Sequence, residues 1–243
     1  STGVINDLET ISSYIRAHNT ALSIIDCVTS LGACNVPVDE WELDIVASGS
    51  QKGYMIPPGL SFIAMSQKAW EAAEKSNLPK FYLNLKSYKK SLLSNSNPYT
   101  PAVNLVFALD ESLKMMREEG LENIFLRHKK HKLAMSNAAK ALNLKLFADE
   151  KYLSPSITAI ETGEMDAEEF RKTIKNKFDI LLAGGQDHLK GKIFRVGHLG
   201  YVNDRDIITV ISAISNTLLD LGKINAQKAG EALVIASKYL ESN

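Results

Sequence analysis

The sequence has little cysteine, no net charge and no long apolar run. Its two cysteines, Cys27 and Cys34, are too few for a disulfide framework and lack the CxxC or Cys/His spacing of a metal site. Its 28 basic residues balance 28 acidic ones, so the overall charge favours neither nucleic acid nor an anionic membrane as a partner. No apolar stretch approaches the roughly 20 residues that a membrane-spanning helix needs. We therefore expect a cytoplasmic protein in a reducing environment, without a nucleic-acid or membrane partner.

Metal and nucleotide motifs are missing too. The glycine turn at 183–187 (AGGQD) lacks the spacing of a dinucleotide-binding or P-loop motif, so it is interpreted as a structural turn. None of the five histidines has a second ligand at metal spacing, and no metal site is expected. They are His18, His128, His131, His188 and His198.

What is present is the composition of a globular protein, with 45% hydrophobic residues in 243. In the first half, helices alternate with strands that are too apolar to have a solvent-exposed face. This pattern predicts an α/β fold with a mostly parallel sheet sandwiched by helices. After Gly120 the pattern changes to a smaller α+β arrangement. We predict two domains, 1–120 and 121–243. The predicted strands are 21–25, 43–47, 60–65, 157–160, 180–183 and 192–196, and the main helices are 8–15, 66–74, 101–119, 121–142, 166–175, 204–221 and 225–240.

The stretch 43–59 (LDIVASGSQKGYMIPPG) carries the most distinctive pattern in the chain. A buried strand gives way to small polar residues, then to Lys52, and a stiff Pro57-Pro58-Gly59 stop follows. A lysine enclosed there would be desolvated, which favours the neutral amine that acts as a nucleophile or proton carrier. The alternative is a lysine that reaches the surface from a loop, and the spacing alone favours that alternative.

Two other charged residues are placed unusually. Asp26 ends the predicted strand 21–25, and ligands of open α/β sheets gather at that edge, although a cap or turn role also explains it. Arg195 lies inside the apolar strand FRVG. Its guanidinium is either paired with a buried carboxylate or available to a ligand carboxylate, and the sequence leaves both interpretations open.

Two segments that follow the predicted strand 60–65 indicate a helix start and a loop. Thr100-Pro101 predicts a helix start, with a capping hydroxyl followed by proline at the first helical position. The preceding segment 76–97 is polar and interspersed with aromatic residues, so we predict an irregular loop of functional importance or at an interface.

Taken together, Asp26, the SGSQK stretch at 48–52, the Pro57-Pro58-Gly59 stop and the FRVG strand at 194–197 resemble one family. It is the class V branch of fold-type I pyridoxal-phosphate aminotransferases, and within it the alanine–glyoxylate and serine–glyoxylate aminotransferases of cyanobacterial type. The resemblance extends from Ser1 to about Leu221. It implies part of the large cofactor-binding domain followed by the small C-terminal domain.

The resemblance implies roles for four residues around pyridoxal 5'-phosphate. Lys52 would hold the cofactor as a Schiff base and, once displaced by substrate, carry the proton between Cα and C4′. Asp26 would keep the pyridine nitrogen protonated, so that the ring can absorb electrons. Ser1 and Gln51 match positions that contact the cofactor phosphate or ring.

The resemblance also implies a partner and a substrate class. Thr100 matches a threonine that reaches the phosphate of the neighbouring subunit's cofactor, which implies a homodimer with shared active sites. Arg195 matches the arginine that clamps the α-carboxylate of the substrate. The implied reaction moves an amino group from alanine or serine to glyoxylate, an amino acid and a 2-oxo acid.

Two features depart from the family pattern. Asn97 occupies a position where some relatives carry a phosphate-binding tyrosine. Family members also have an N-terminal segment with a glycine-rich phosphate turn and a ring-stacking aromatic residue, and the 243 residues contain neither. We therefore expect a portion of a longer enzyme that binds the cofactor poorly by itself.

Two alternatives use the same residues differently. A cysteine desulfurase-like lyase needs a reactive cysteine on a mobile loop of the small domain, whereas Cys27 and Cys34 lie near the cofactor-domain strands. The second alternative is a non-catalytic protein, because close relatives are sometimes named as a small subunit of a soluble hydrogenase. Two isolated cysteines fall short of the ligands that nickel–iron or iron–sulfur centres generally need.

Overall fold

A computed structural model describes residues 1–18 and 21–241. The chain divides into two compact units. The Lys52 unit consists of Glu9–Val28 and Pro37–Met115, and the Arg195 unit consists of Ser1–Leu8, Thr29–Val36 and Met116–Asn243. Across the described ranges, no helix is both long and apolar enough to cross a membrane.

The Lys52 unit contains a three-stranded sheet. Among the residues that the structure describes, one helix precedes its strands in the sequence and three helices follow them. Strand β1 runs parallel to β2, with Asp26 opposite Ala47, and β2 runs antiparallel to β3, with Gly49 opposite Ser61. The elements are α1 Leu8–Ala17, β1 Ile24–Asp26, β2 Ile45–Gly49, β3 Ser61–Met65, α2 Gln67–Lys75, α3 Leu85–Leu92 and α4 Val103–Glu119.

The direction of β3 corrects the prediction of a mostly parallel sheet. Only the β1–β2 pair is parallel, and the sheet as a whole is mixed. A parallel connection needs a crossover of a dozen or more residues that returns the chain to the same end of the sheet. The segment 50–60 between β2 and β3 is shorter than that, so the chain reverses direction.

Two predictions about helices in this unit were wrong in detail. The segment 76–97 is not irregular throughout, because α3 forms within it and Asn84 caps it by accepting a hydrogen bond from the backbone N–H of Lys86 at 3.2 Å. None of the residues of α3 is buried, although Leu85, Tyr88 and Leu92 recur at helical spacing, a short pattern that the prediction overlooked. Helix α4 begins at Val103 rather than at Pro101, since the first helical bond joins Val106 N–H to the Ala102 carbonyl at 3.1 Å.

The Arg195 unit contains an antiparallel four-stranded sheet in the order β4-β5-β7-β6, with helices packed against it. Helix α7 is well specified locally, because Asn203 and Asp206 form a capping box at its start. The elements are α5 Leu121–Ala141, β4 Lys145–Leu146, β5 Ile157–Glu161, α6 Ala167–Phe178, β6 Ala183–Gly184, β7 Ile193–Gly197, α7 Asp204–Asp220 and α8 Ala226–Glu241.

The core of the Arg195 unit determines which side chains of β7 face inwards. Phe194 is fully buried and its ring lies 5.1 Å from that of Phe170, while Val196 is 2% exposed. Because side chains alternate along a strand, Arg195 points to the opposite face from these two anchors. Burying the phenylalanine ring contributes about 2–3 kcal/mol, so the core holds the arginine in register.

Candidate active site

Asp26 and Lys52 lie at the same edge of the three-stranded sheet. Asp26 is the last residue of β1, and β2 runs parallel to it as far as Gly49, after which a turn carries Lys52. The carboxyl ends of adjacent parallel strands meet at one edge, where ligands of α/β sheets bind. Lys52 is exposed, so the structure contradicts the interpretation of Lys52 as an enclosed, desolvated lysine.

The carboxylate of Asp26 is oriented by the backbone that follows it. Its Oδ1 accepts a hydrogen bond from the N–H of Val28 at 2.9 Å, an Asx-type turn directly after the strand. Within the described ranges, Asp26 forms no ion pair with a lysine or arginine. The exposed carboxylate can therefore accept a hydrogen bond from a ligand.

The loop that carries Lys52 is closed by one buried hydroxyl. Ser50 is fully buried; its Oγ donates to the Pro57 carbonyl at 2.8 Å and accepts from the Leu60 N–H at 3.1 Å. The loop also contains a backbone bond from the Met55 N–H to the Lys52 carbonyl at 2.9 Å. Each such bond contributes about 1 kcal/mol, and together they restrict where the lysine can move.

A glycine stands at each end of the loop, and each has a neighbouring side chain where a Cβ would lie. A Cβ added at Gly49 would lie 2.9 Å from Gln51 Oε1, closer than real Cβ contacts allow. The absence of a side chain at Gly49 therefore lets the Gln51 amide fold back over the end of β2. At the far end of the loop, Gly59 has φ +142°, and a Cβ there would lie 2.5 Å from Leu105 Cδ1.

Sequence reasoning missed the anchor between this loop and α4. Ser112 Oγ, from a side chain that is 3% exposed, donates a hydrogen bond to the carbonyl of Tyr54. The Tyr54 ring packs on Phe62 at 4.6 Å between centroids, and burial, followed by the nearby Cys27 thiol, raises the pKa of the Tyr54 hydroxyl. A serine and a carbonyl 58 positions apart leave no local signal, so only the folded chain reveals this contact.

Thr100 is exposed just before α4, next to an aromatic cluster in the same unit. Tyr99 is the centre of that cluster, with ring centroids 4.8 Å from Tyr82 and 5.8 Å from Phe81, and its hydroxyl donates to the Phe81 carbonyl at 3.1 Å. These contacts hold the backbone on one side of Thr100. Its hydroxyl is left on the surface.

Arg195 has no carboxylate partner within 4.0 Å in the part of the chain that the structure describes. Its Nε donates to the Gly184 carbonyl at 2.8 Å, on the neighbouring strand β6. Of the two interpretations that the sequence left open, this geometry favours a guanidinium available to a ligand carboxylate. The two terminal nitrogens match such a group in bidentate fashion.

The glycine turn at 183–187 positions that arginine. A Cβ at Gly184 would lie 2.6 Å from both Arg171 Nη1 and Glu168 Oε1, and a Cβ at Gly185 would lie 2.1 Å from the Leu189 carbonyl oxygen. At Gly185 a side chain would force the backbone to shift, whereas at Gly184 it would displace the ends of the Arg171 and Glu168 side chains. The turn thus has the structural role that its sequence predicts, and it supplies the carbonyl that orients Arg195.

The other two predicted cofactor residues lie in different units. Ser1, in the Arg195 unit, donates from Oγ to Gln186 Oε1 at 2.8 Å, and Gln51 belongs to the Lys52 unit. Both side chains are exposed. Among the described residues, no group of three or more His, Cys, Asp or Glu is arranged to hold a metal ion.

The chain is similar to known proteins of one family. A family profile described as "Aminotransferase class-V" matches residues 1–198. The chain is 54% identical to the soluble hydrogenase small subunit of Synechococcus sp. (strain PCC 6716), over 100% of this chain and 63% of that protein. It is 34% identical to the serine–glyoxylate aminotransferase of Methylorubrum extorquens, over 100% of this chain and 62% of that protein.

A solved structure is similar over nearly the whole chain. The crystal structure of ureidoglycine–glyoxylate aminotransferase from Bacillus subtilis matches with a TM-score of 0.89 at 32% identity, over 98% of this chain and 63% of that one. The chain therefore spans a little over three-fifths of the length of these relatives.

Proposed function

Because the chain belongs to the class V aminotransferase family, we propose that the protein is a pyridoxal-phosphate-dependent transaminase that moves an amino group from alanine or serine to glyoxylate. The observation that carries the proposal is the placement of Asp26 and Lys52 at one carboxyl edge of the β1–β2 pair. The serine–glyoxylate aminotransferase of Methylorubrum, a relative of this chain, supports serine as donor and glyoxylate as acceptor.

The residues at this edge fit the cofactor by the chemistry of their donors and acceptors. They offer a primary amine at Lys52, a carboxylate at Asp26 and an amide at Gln51, all exposed, and the exposed Thr100 just before α4 offers a hydroxyl. When bound, pyridoxal phosphate supplies an electrophilic carbonyl and a ring that withdraws electrons from the substrate Cα. Lys52 would hold the cofactor covalently, Asp26 would hold the proton on its ring nitrogen, and Gln51 would contact its ring or phosphate.

Lys52 then has a second task in the proposed reaction. With the cofactor bound, the Lys52 amine would take a proton from the substrate Cα and carry it to the next site of the transfer. The loop closed by Ser50 restricts the motion of the lysine, which keeps the amine near one proton-transfer path. Asp26 remains an acceptor on the neighbouring strand throughout.

Arg195 is proposed to bind the carboxylate that all the proposed substrates share. Alanine, serine and glyoxylate each carry one, so a single guanidinium serves both halves of a ping-pong cycle. The bond from Nε to the Gly184 carbonyl fixes one side of the guanidinium and leaves the terminal nitrogens for the substrate.

We further propose a homodimer with shared active sites, in which Thr100 contacts the neighbouring subunit's cofactor phosphate. Large apolar side chains close to Thr100 in the sequence are exposed, which supports a covered surface in the assembly. They include Phe81 at 79%, Leu83 at 79%, Leu93 at 85% and Phe107 at 72%.

A second candidate is a non-catalytic subunit of a hydrogenase, which the similarity to the Synechococcus soluble hydrogenase small subunit favours. Stoichiometric iron or nickel in the purified protein, without transaminase activity, would establish it. A desulfurase-like reaction is less well supported, because Cys27 is fully buried and Cys34 is partly buried, whereas that chemistry needs an accessible thiolate. Release of sulfide from cysteine would separate that lyase from a transaminase.

The decisive experiment locates the lysine that holds the cofactor. The protein, as it is made in the cell, is incubated with pyridoxal phosphate, reduced with borohydride and mapped by peptide mass spectrometry. We expect the adduct on Lys52, and Lys52→Ala should abolish both the adduct and the transfer of an amino group to glyoxylate. Lys75→Ala, at the exposed end of α2, is the matched control. An adduct on another lysine would refute the proposal.

A further inference from the structure

A groove between α5 and α8 lies in the Arg195 unit and uses none of the proposed active-site residues. Its volume is about 730 Å³. Leu126 and Leu133 of α5, with Ile235 and Tyr239 of α8, supply its apolar surface. We name it the α5–α8 groove.

The rim of the groove is basic on both sides. Lys129 and Lys130 come from α5 and Lys238 comes from α8. In the ranges that the structure describes, none of these three has a carboxylate within 4.0 Å, whereas Lys140 at one end is paired with Glu150 at 3.1 Å. The chain as a whole has no net charge, so this is a local excess of positive charge around an apolar floor.

The shape of the groove suits an elongated occupant. Its α5 side runs from Leu126 to Ala141, which at the helical rise corresponds to roughly 22 Å, or about four turns. Leu126 and Leu133 are one heptad apart and lie on the same face of α5, the spacing at which side chains of a second helix interdigitate. A helix laid between two helices would place its apolar face on this floor and its flanking residues near the lysines.

We propose that the α5–α8 groove binds an acidic amphipathic helix of a partner protein. Its apolar side chains would pack on Leu133 and Ile235, and its Glu or Asp residues would pair with Lys129, Lys130 and Lys238. Complementary charge on both rims sets the identity and register of the partner more than it sets the affinity. This role is independent of the proposed transamination, since it involves neither Lys52 nor Arg195.

The test uses a labelled synthetic helix of about 15 residues, with leucine at heptad positions and glutamate beside them. Fluorescence anisotropy with the full chain should show saturable binding that weakens with added salt. The double variant Lys129→Glu/Lys238→Glu should weaken binding by about tenfold or more. Lys172→Glu/Lys175→Glu, which makes the same charge change on the exposed face of α6, should leave binding unchanged.

The remaining outcomes overturn the proposal. Equal binding by the groove variant and wild type, or equal binding of a peptide with glutamine in place of glutamate, would show that the lysines do not select the ligand. No binding of the acidic peptide would remove the helix as occupant. Groove-dependent binding to phosphatidylserine vesicles alone would assign the face to a membrane, and groove-dependent self-association would assign it to a second copy of the chain.

Discussion

Ser50 Oγ donates a hydrogen bond to the Pro57 carbonyl at 2.8 Å and thereby closes the loop that carries Lys52. The same oxygen accepts from the Leu60 N–H, so one hydroxyl satisfies two backbone groups of the loop. In sequence the serine is one of several small polar residues, but in the structure it holds the loop together.

Replacing Ser50 by alanine should therefore loosen the loop. The change leaves a carbonyl and an N–H without their partner, and we expect a loss of about 1–3 kcal/mol in the free energy of unfolding. Urea denaturation measures it. Ser94→Ala is the control, because Ser94 is exposed and its hydroxyl bonds only to the Ser91 carbonyl, at 3.0 Å. Equal stability of the two variants would contradict the role of Ser50.

Arg195→Lys should raise the KM for the amino donor by about 10- to 100-fold with a smaller effect on kcat. A lysine keeps the charge but lacks the two-pronged contact and the Nε bond to the Gly184 carbonyl. Steady-state kinetics with alanine and serine provide the measurement. Arg205→Lys, at the exposed start of α7, should behave as wild type. An unchanged KM in Arg195→Lys would remove the proposed carboxylate clamp.

Alanine at Gly185 and at Gly230 should have opposite effects on stability. At Gly185 the added Cβ would lie 2.1 Å from the Leu189 carbonyl oxygen, so the turn must shift and the unfolding free energy should fall by about 1–3 kcal/mol. At Gly230, within α8, nothing lies within 4 Å of the new Cβ, and the better helix propensity should add about 1 kcal/mol. Thermal unfolding distinguishes them.

The Gly185 variant has a second expected consequence. A shifted turn moves the Gly184 carbonyl that accepts from Arg195, so the KM for the amino donor should rise in Gly185→Ala and stay unchanged in Gly230→Ala. A normal KM in a destabilised Gly185→Ala protein would separate the turn from substrate binding.

Acid should destabilise the Arg195 unit through His128. This ring is fully buried; its Nδ1–H donates to the Ile124 carbonyl at 2.8 Å, and its Nε2 accepts from the Gly200 N–H at 3.2 Å, so both nitrogens are used in the neutral form. Burial first, and then the nearby Arg127 and His131, lower the pKa of His128 to about 4, although the Ile124 carbonyl and Glu119 act in the opposite direction.

A pKa below the ordinary 6.5 means that the unfolded chain takes up the proton before the folded chain does. The stabilisation is therefore complete above about pH 6.5 and falls as the pH is lowered towards 4, by on the order of 3 kcal/mol. His198, whose pKa burial lowers to about 3, contributes in the same direction.

The pH effect can be measured by urea denaturation across that window. His128→Gln should flatten the dependence of unfolding free energy on pH, and the exposed His188→Gln should leave it as in wild type. A slope that is unchanged in His128→Gln would show that another group controls the acid sensitivity.

Much of the local structure could be predicted from neighbouring residues alone. Leu8, Ile11 and Ile15 have helical periodicity, and the structure has helix Leu8–Ala17 there. The apolar run 60–65 corresponds to strand Ser61–Met65. These patterns repeat within a few residues, so they are visible in a short window of sequence. Helix α3 has such a pattern in Leu85, Tyr88 and Leu92, but it is short and none of these side chains is buried.

The sequence by itself determined that Asp26 ends a strand and that Lys52 follows one, and parallel pairing of those strands brings both residues to one edge. Only the tertiary structure decided the direction of β3, the bond from Ser112 to Tyr54, the freedom of Arg195 from any carboxylate in the described chain, and the groove between α5 and α8. Each of these depends on which distant segments pack together. Packing is selected by the burial of the whole core, and no short stretch of residues encodes it.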